Sequence, residues 1–138
     1  MNAAEQGREQ LAKARDRIPD ATFVEVDLLE VAFDASSADA VVAFYVFNHV
    51  PRERLAGLLA RIHSWLRPGG YLLAAFGTSD LEGWHGEWLG VPMFFSSFTP
   101  GVTSGLVAAA GFELVRDEVV EIAEPEGPVA FQWILARR

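Results

Sequence analysis

The chain contains no cysteine, which excludes disulfide bonds and thiolate chemistry. Its first thirty residues hold no apolar run of the kind that marks a secretory signal peptide. The longest apolar run, AVVAFYVF at 40–47, is far shorter than the ~20 residues that cross a bilayer. Basic residues are few, and the formal charge of −8 disfavours nucleic acid and anionic membrane surfaces. We therefore expect a cytoplasmic protein with no nucleic-acid and no membrane partner.

The first half of the chain predicts one helix and two strands. Residues 3–17 are rich in helix formers, and Glu9 and Lys13 form a favourable i,i+4 pair. TFVEV at 22–26 predicts a short strand, and the continuously apolar DAVVAFYVF at 39–47 suits a strand buried on both faces.

The next segments complete a βαβ unit and add an edge hairpin. Leucines repeat at helical spacing after Pro51, and Pro68-Gly69-Gly70 ends that helix before a second apolar strand, YLLAAF at 71–76. Thr99-Pro100 begins another helix, which runs to Ala110. Strands are then predicted at 112–122 and 128–136, paired antiparallel.

The segment 81–98, LEGWHGEWLGVPMFFSSF, has the most unusual composition in the chain. It holds two Trp, three Phe and a Met, with weak periodicity. We expect a short helix followed by a covering loop.

Four segments in this order resemble the class I S-adenosylmethionine-dependent methyltransferases, especially those that act on small molecules. FVEVDL at 23–28 looks like their third strand, and ADAVVAFYVFNHVP at 38–51 looks like their fourth strand and the segment after it. LLARIHSWLRPGGYLLAAF at 58–76 looks like the following helix, Pro-Gly-Gly turn and fifth strand, and AAAGFELV at 108–115 looks like the entry to the sixth. Each motif alone is weak, but LRPGG followed by AGF about forty residues later is fairly specific.

The resemblance implies an α/β fold: an incomplete Rossmann-like methyltransferase fold, with a mostly parallel sheet of about five strands and a C-terminal antiparallel hairpin. It implies a single methyltransferase-like domain over 1–138 that lacks the first two strands of the family fold, so the chain reads as N-terminally truncated. No G-x-G-x-G occurs in the sequence, and the acidic residue that binds the ribose hydroxyls in the family is missing too.

These absences bear on the family's cofactor, S-adenosylmethionine. Hydrogen bonds to a charged group contribute about 1.5–3 kcal/mol each, so losing the two ribose bonds removes roughly 3–6 kcal/mol. A micromolar ligand has only about 8.2 kcal/mol of binding free energy. Binding by this chain is therefore expected to be millimolar or weaker.

A sheet without those two strands leaves one edge of the strand at 39–47 unpaired, and exposed apolar edges are a liability that proteins cover. Either the strand at 22–26 moves over to pair with it, or a second chain covers it. A homodimer is therefore expected.

The resemblance also implies a set of site residues. Asp27 and Leu28 correspond to the adenine side of the cofactor site, with Phe44 and Tyr45 at the end of the next strand, where ligands of α/β sheets bind. His49 is the candidate catalytic base, because a histidine can accept a proton near neutral pH. The substrate pocket would be lined by aromatic and apolar side chains: Phe47, Trp84, His85, Trp88, Met93, Phe94 and Phe95.

Structural alternatives stay open for these residues. Asp27 fits a simple turn, Phe44 fits the core, His49 fits a helix start that bonds the backbone, and the aromatic segment fits core filling or a dimer surface. The three histidines have no spacing that is typical of a metal site.

Three functions follow from this reading. The first is a methyltransferase-like protein, acting on or derived from enzymes acting on a small molecule, without methyl transfer as a lone chain. The second is a non-catalytic binding or assembly module with an apolar aromatic pocket. The third is an active methyltransferase completed by a partner chain.

Overall fold

The computed structural model describes residues 3–138, which divide into two compact units, one ending at Ala32 and the other spanning Phe33–Arg138. The first unit contains the predicted helix, α1 (Ala3–Arg17), with Glu9 and Lys13 paired at 2.9 Å. The strand predicted at 22–26 is wrong, because this segment has no strand pairing. A strand this short is stable only when it pairs with a neighbouring strand, and residues 22–26 form no such ladder in the described part of the chain.

The second unit carries all the strands that the structure describes and two of its helices. Its elements in chain order are β1 (Ala38–Ala43), α2 (Leu55–Trp65), β2 (Leu66–Gly77), β3 (Leu81–Trp88), β4 (Val91–Ser97), α3 (Pro100–Ala109), β5 (Glu113–Glu124) and β6 (Gly127–Arg137). Two 3-10 helices, Phe47–His49 and Arg52–Arg54, connect β1 to α2.

The main sheet is mixed and has the strand order β1-β2-β6-β5. β1 and β2 run parallel, while β6 pairs antiparallel with both β2 and β5. The α/β class, the βαβ unit and the C-terminal antiparallel hairpin are therefore confirmed. The expected mostly parallel sheet of about five strands is instead a mixed sheet of four, with one parallel and two antiparallel pairs. The alternative in which a strand at 22–26 pairs with β1 is wrong, because no strand forms at 22–26.

One face of the sheet is covered by helices. Leu72, Ala74 and Phe76 of β2 lie opposite Ala136, Ile134 and Gln132 of β6, and all six side chains are buried. α2 and α3 contact this side through their own buried residues, which are Leu55, Leu58, Leu59, Ile62 and Trp65 on α2 and Thr103 and Val107 on α3. The amphipathic spacing of α2 predicts from the sequence which of its residues face the sheet.

The other side of the sheet, which we call the open face, is formed by the residues that alternate with these. Leu73 lies opposite Leu135 and Ala75 opposite Trp133. Leu73, Trp133 and Leu135 keep more exposure than the residues on the helix side.

Pro68-Gly69-Gly70 lies in the first part of β2, where the backbone of β2 comes close to that of β1. Gly69 has a φ of 81°, which favours glycine, and a β-carbon at Gly70 would lie 2.9 Å from the carbonyl oxygens of Arg67 and Asp39. Gly70 therefore lets β2 approach β1 closely, and Gly69 permits the positive φ just before it.

Residues 81–98 form a two-stranded antiparallel hairpin, β3–β4, which we call the aromatic hairpin. The short helix predicted here is wrong. Leu89 and Gly90 join the strands with φ values of 50° and 79°, the pattern of a two-residue turn whose twist suits a hairpin. Aromatic side chains favour strands, and the turn at Leu89-Gly90 reverses the chain direction so that the two strands can pair.

Candidate functional site

The candidate site lies at the carboxyl ends of β1 and β2. Because the two strands are parallel, the 3-10 helix Phe47–His49 after β1 lies beside the end of β2, and it also contacts β4 of the aromatic hairpin. Ligands of open α/β sheets bind at this edge. The topology thus brings the candidate base to the expected place.

His49 joins the 3-10 helix to the aromatic hairpin. Its Nδ1 lies 2.9 Å from the carbonyl oxygen of Phe94, and its ring centroid is 5.0 Å from that of Phe95. A carbonyl oxygen can only accept a hydrogen bond, so Nδ1 carries the proton. In the neutral ring Nε2 then has the lone pair, and the side chain is exposed. His49 can therefore both hold the hairpin and accept a proton from a bound molecule.

Arg52 provides a second attachment that the sequence did not suggest. Its backbone N–H donates to Oγ of Ser96 at 2.9 Å, and its guanidinium contacts Asp80 at 2.5 Å and lies over the ring of Phe98 at 4.8 Å. Ser96 is 1% exposed, and its hydroxyl donates in turn to the carbonyl of Glu82 at 3.0 Å. Partners more than forty residues apart leave no local signal, so only the fold reveals this attachment.

Asn48 lies in the same 3-10 helix as His49 and was not among the predicted site residues. Its Oδ1 is buried and accepts no hydrogen bond within residues 3–138. It borders a cavity of ≈ 10 Å³, which Phe47, Gly77 and Ser97 also line. That volume is at the lower limit for one water molecule.

The predicted substrate-pocket residues divide between two sides of the aromatic hairpin. Trp84 pairs with Phe95 and Gly86 with Met93, so these residues share one face with Trp88, whereas His85 and Phe94 pair on the other. Phe95 is the centre of the first face: ring centroids of Trp84 and Trp88 lie 5.7 and 6.1 Å from it. His49 contacts this same ring. Phe47 is 4% exposed and packs on Phe76, within the core.

Phe44 and Tyr45 are brought onto the open face. Phe44 lies 5.1 Å from Trp133, and Tyr45 lies 4.7 Å from Phe131, measured between ring centroids. Tyr45 has a φ of 57°, which is uncommon for an aromatic residue. Both rings therefore pack on aromatic side chains in the middle of β6.

A shallow groove of ≈ 510 Å³ also lies on the open face and was not predicted. Its apolar floor is formed by Leu73, Val120, Ile122, Trp133 and Leu135. Arg116 and Glu118, paired at 3.3 Å, flank it. The alternating apolar residues of β5 and β6 could be recognised in the sequence. That they form one groove with Leu73 of β2 follows only from the order of the strands in the sheet.

Asp27 and Leu28 belong to the first unit and form a local turn there. Oδ1 of Asp27 accepts the N–H of Leu29 at 2.8 Å, and its carbonyl accepts the N–H groups of Glu30 and Val31. An aspartate that bonds the backbone two residues on is a common turn device. Asp27 therefore forms the simple turn that was the structural alternative to a cofactor contact.

No three acidic or histidine side chains among residues 7–138 gather as a metal site would require. Over the same residues, no helix combines the length and the apolarity needed to pass through a membrane.

A family model described as a methyltransferase domain matches residues 3–70. A carboxy-S-adenosyl-L-methionine synthase from Geobacter metallireducens is 36% identical over 85 residues, which is 59% of this chain and 34% of that protein. The enzyme of the same name from Geobacter sp. strain M21 is 35% identical over 69 residues, covering 50% of this chain and 28% of its own length. The chain thus spans about a third of the length of the curated relatives it matches.

Solved structures extend the similarity across the fold. A Burkholderia thailandensis 1,6-didemethyltoxoflavin-N1-methyltransferase, with bound 1,6-didemethyltoxoflavin and S-adenosylhomocysteine, superposes with a TM-score of 0.70 at 22% identity, covering 93% of this chain and 56% of that one. An S-adenosylmethionine-dependent methyltransferase from Methanosarcina mazei gives 0.72 at 19% identity, covering 94% and 76%. At these identities the structures establish the fold.

Proposed function

We propose that the chain is a methyltransferase-like protein, acting on or derived from enzymes acting on a small molecule, that does not transfer a methyl group as a lone chain. A methyltransferase-domain model matches residues 3–70, and the fold is that of S-adenosylmethionine-dependent methyltransferases. The observation that carries this proposal is the contrast between the two sides of the site. On the substrate side, His49 and Arg52 attach the aromatic hairpin to the two 3-10 helices that follow β1. On the cofactor side, none of the 138 residues forms a G-x-G-x-G loop.

The energetics support the same proposal. Methyl transfer needs the cofactor's methyl group in line with the acceptor, and much of the acceleration in such reactions comes from positioning. A backbone glycine loop supplies N–H groups that hold an adenosyl ligand closely. Without that loop, Asp27, Phe44 and Tyr45 remain as candidate contacts, and each already has a partner within the chain.

Isothermal titration calorimetry of the purified chain tests this. We expect no heat of binding up to millimolar S-adenosylmethionine or S-adenosylhomocysteine. Because the curated relatives are named for carboxy-S-adenosyl-L-methionine, that compound belongs in the same series. Micromolar binding of any of the three would overturn the proposal. Asp27→Asn, compared with the exposed Asp20→Asn, would then show whether Asp27 takes part.

A second candidate is a non-catalytic binding module, and the exposed aromatic face favours it. Trp84 and Trp88 keep 42% and 39% of their surface exposed although they contact Phe95. Exposed aromatic clusters commonly mark interaction sites. An apolar dye whose fluorescence rises on the unmodified chain and not on Trp84→Ala would support this candidate. Equal signals from both would remove it.

The third candidate, an active methyltransferase completed by a partner chain, is favoured by the unpaired side of β1, where a partner's strand could add. Methyl transfer that appears only when a second polypeptide is present would support it. No transfer from the chain with any co-purifying protein would count against it.

A further inference from the structure

The main sheet ends in two edge strands, β1 and β5, each of which pairs on one side only in the described structure. The other side of such a strand presents backbone N–H and C=O groups that can pair with another chain. Proteins protect these edges with charged side chains, proline, bulges or a covering segment. The two edges of this sheet differ sharply in that protection.

β5 is protected by charge. Its twelve residues, ELVRDEVVEIAE, contain five acidic side chains and one basic side chain. Two copies of this strand placed side by side would set like charges against one another, which is destabilising. The formal charge of −8 on each whole chain adds to that repulsion.

β1 has less of this protection: it is short and its ladder with β2 shifts register between Ala38 and Ala40, but it is not protected by charge. Its six residues, ADAVVA, contain neither proline nor a basic residue, and the one charged side chain, Asp39, is ion-paired with Arg67. Ala40 is exposed, and Val42 keeps 59% of its surface exposed. This edge is therefore apolar and carries no unpaired charge, which favours pairing.

We propose that two copies of this chain associate through β1, in antiparallel pairing about a two-fold axis perpendicular to the sheet. In a register centred on Val41, Ala40 of one copy faces Val42 of the other, and Asp39 faces Ala43. The two Asp39 residues are then four positions apart along the strand, about 14 Å. That separation exceeds the ~8 Å screening length at physiological salt, so their repulsion is small.

This arrangement has a consequence for the open face. The axis keeps the helix-covered sides of both sheets together, so the two open faces become one continuous surface of an eight-stranded sheet. The Phe44 and Tyr45 rings of each copy lie near the axis, because they follow β1 directly. A self-complementary contact of this kind closes after two copies.

Size-exclusion chromatography with light scattering tests the proposal. The unmodified chain should have a mass of about 30 kDa, twice the 15.1 kDa of one chain. Val42→Lys places a charge on the exposed apolar edge and should return the mass to 15.1 kDa. The control is Val119→Lys on β5, where the replaced side chain is similarly exposed at 52%, and it should leave the mass of the dimer unchanged.

Circular dichroism must show that both variants fold, and Ala40→Lys replaces Val42→Lys if the latter does not. A mass of 15.1 kDa for the unmodified chain over the micromolar range overturns the proposal. So does a folded lysine variant in β1 that remains a dimer, because the interface would then lie elsewhere. Neither result bears on whether S-adenosylmethionine binds.

Discussion

His49 is predicted to carry its ring proton on Nδ1, which leaves Nε2 as the proton-accepting atom. The physical reason is the 2.9 Å contact between Nδ1 and the Phe94 carbonyl oxygen, which cannot donate. A hydrogen bond of this type contributes about 0.5–1.5 kcal/mol net, which biases the ratio of the two tautomers roughly 2- to 13-fold. The lower half of that range applies here, because the ring is exposed to water.

Nitrogen NMR of the labelled chain measures this directly. At a pH where the ring is neutral, the Nε2 resonance of His49 should lie at the position of an unprotonated nitrogen and the Nδ1 resonance at that of a protonated one. His85 is the internal reference, since its ring packs on Phe94 from the other face of the aromatic hairpin. A His49 spectrum that shows the proton on Nε2 would refute the reasoning.

Two substitutions give an independent check. The side-chain amide of His49→Asn can place an N–H where Nδ1 was, whereas that of His49→Gln reaches the position of Nε2. Both lose the ring contact with Phe95, so their difference isolates the hydrogen bond. We expect the Asn variant to be the more stable by about 0.5–1 kcal/mol in urea unfolding. Equal stabilities would mean that this hydrogen bond does not hold the hairpin.

Three further substitutions test the packing. A β-carbon at Gly86 would lie 2.2 Å from the indole of Trp84, so Gly86→Ala must displace that ring and should cost about 0.5–1.5 kcal/mol, with a shifted tryptophan emission. Gly105→Ala in α3, where no atom lies within 4 Å, should instead stabilise by up to ~1 kcal/mol, and a loss would contradict this assignment. Leu59→Ala should lower the free energy of unfolding by about 2–5 kcal/mol, because Leu59 is 0% exposed, and a change below 1 kcal/mol would place it outside the core.

The aromatic hairpin shows why part of the site escaped prediction. The turn at Leu89-Gly90 carries one recognisable glycine, but Leu89 is an unusual residue for positive φ. The sequence of residues 81–98 therefore gave no clear hairpin signal, and a short helix with a covering loop was predicted instead. The division of its aromatic residues between two faces depends on strand register, which a one-residue shift would reverse.

The segment at 22–26 failed for a different reason. A strand is stable only when another strand pairs with it, and the pattern TFVEV carries no information on whether that partner exists. The apolar pattern at 39–47 does form a strand, over Ala38–Ala43, because the helix and the Pro-Gly-Gly turn return the chain beside it as β2.

The sequence by itself predicted the resemblance to methyltransferases, the βαβ unit and the terminal hairpin, because these depend on local signals: apolar runs, helical spacing, and glycines that permit particular turns. It also placed His49 at the end of β1 and showed that no G-x-G-x-G loop is present. Only the tertiary structure decided which atom of His49 is committed to Phe94, how Arg52 and Ser96 attach the hairpin, and which edge of the sheet is apolar and unprotected. The physical reason is distance along the chain: those contacts join residues forty or more positions apart, or depend on strand order, and neither leaves a trace in a local pattern.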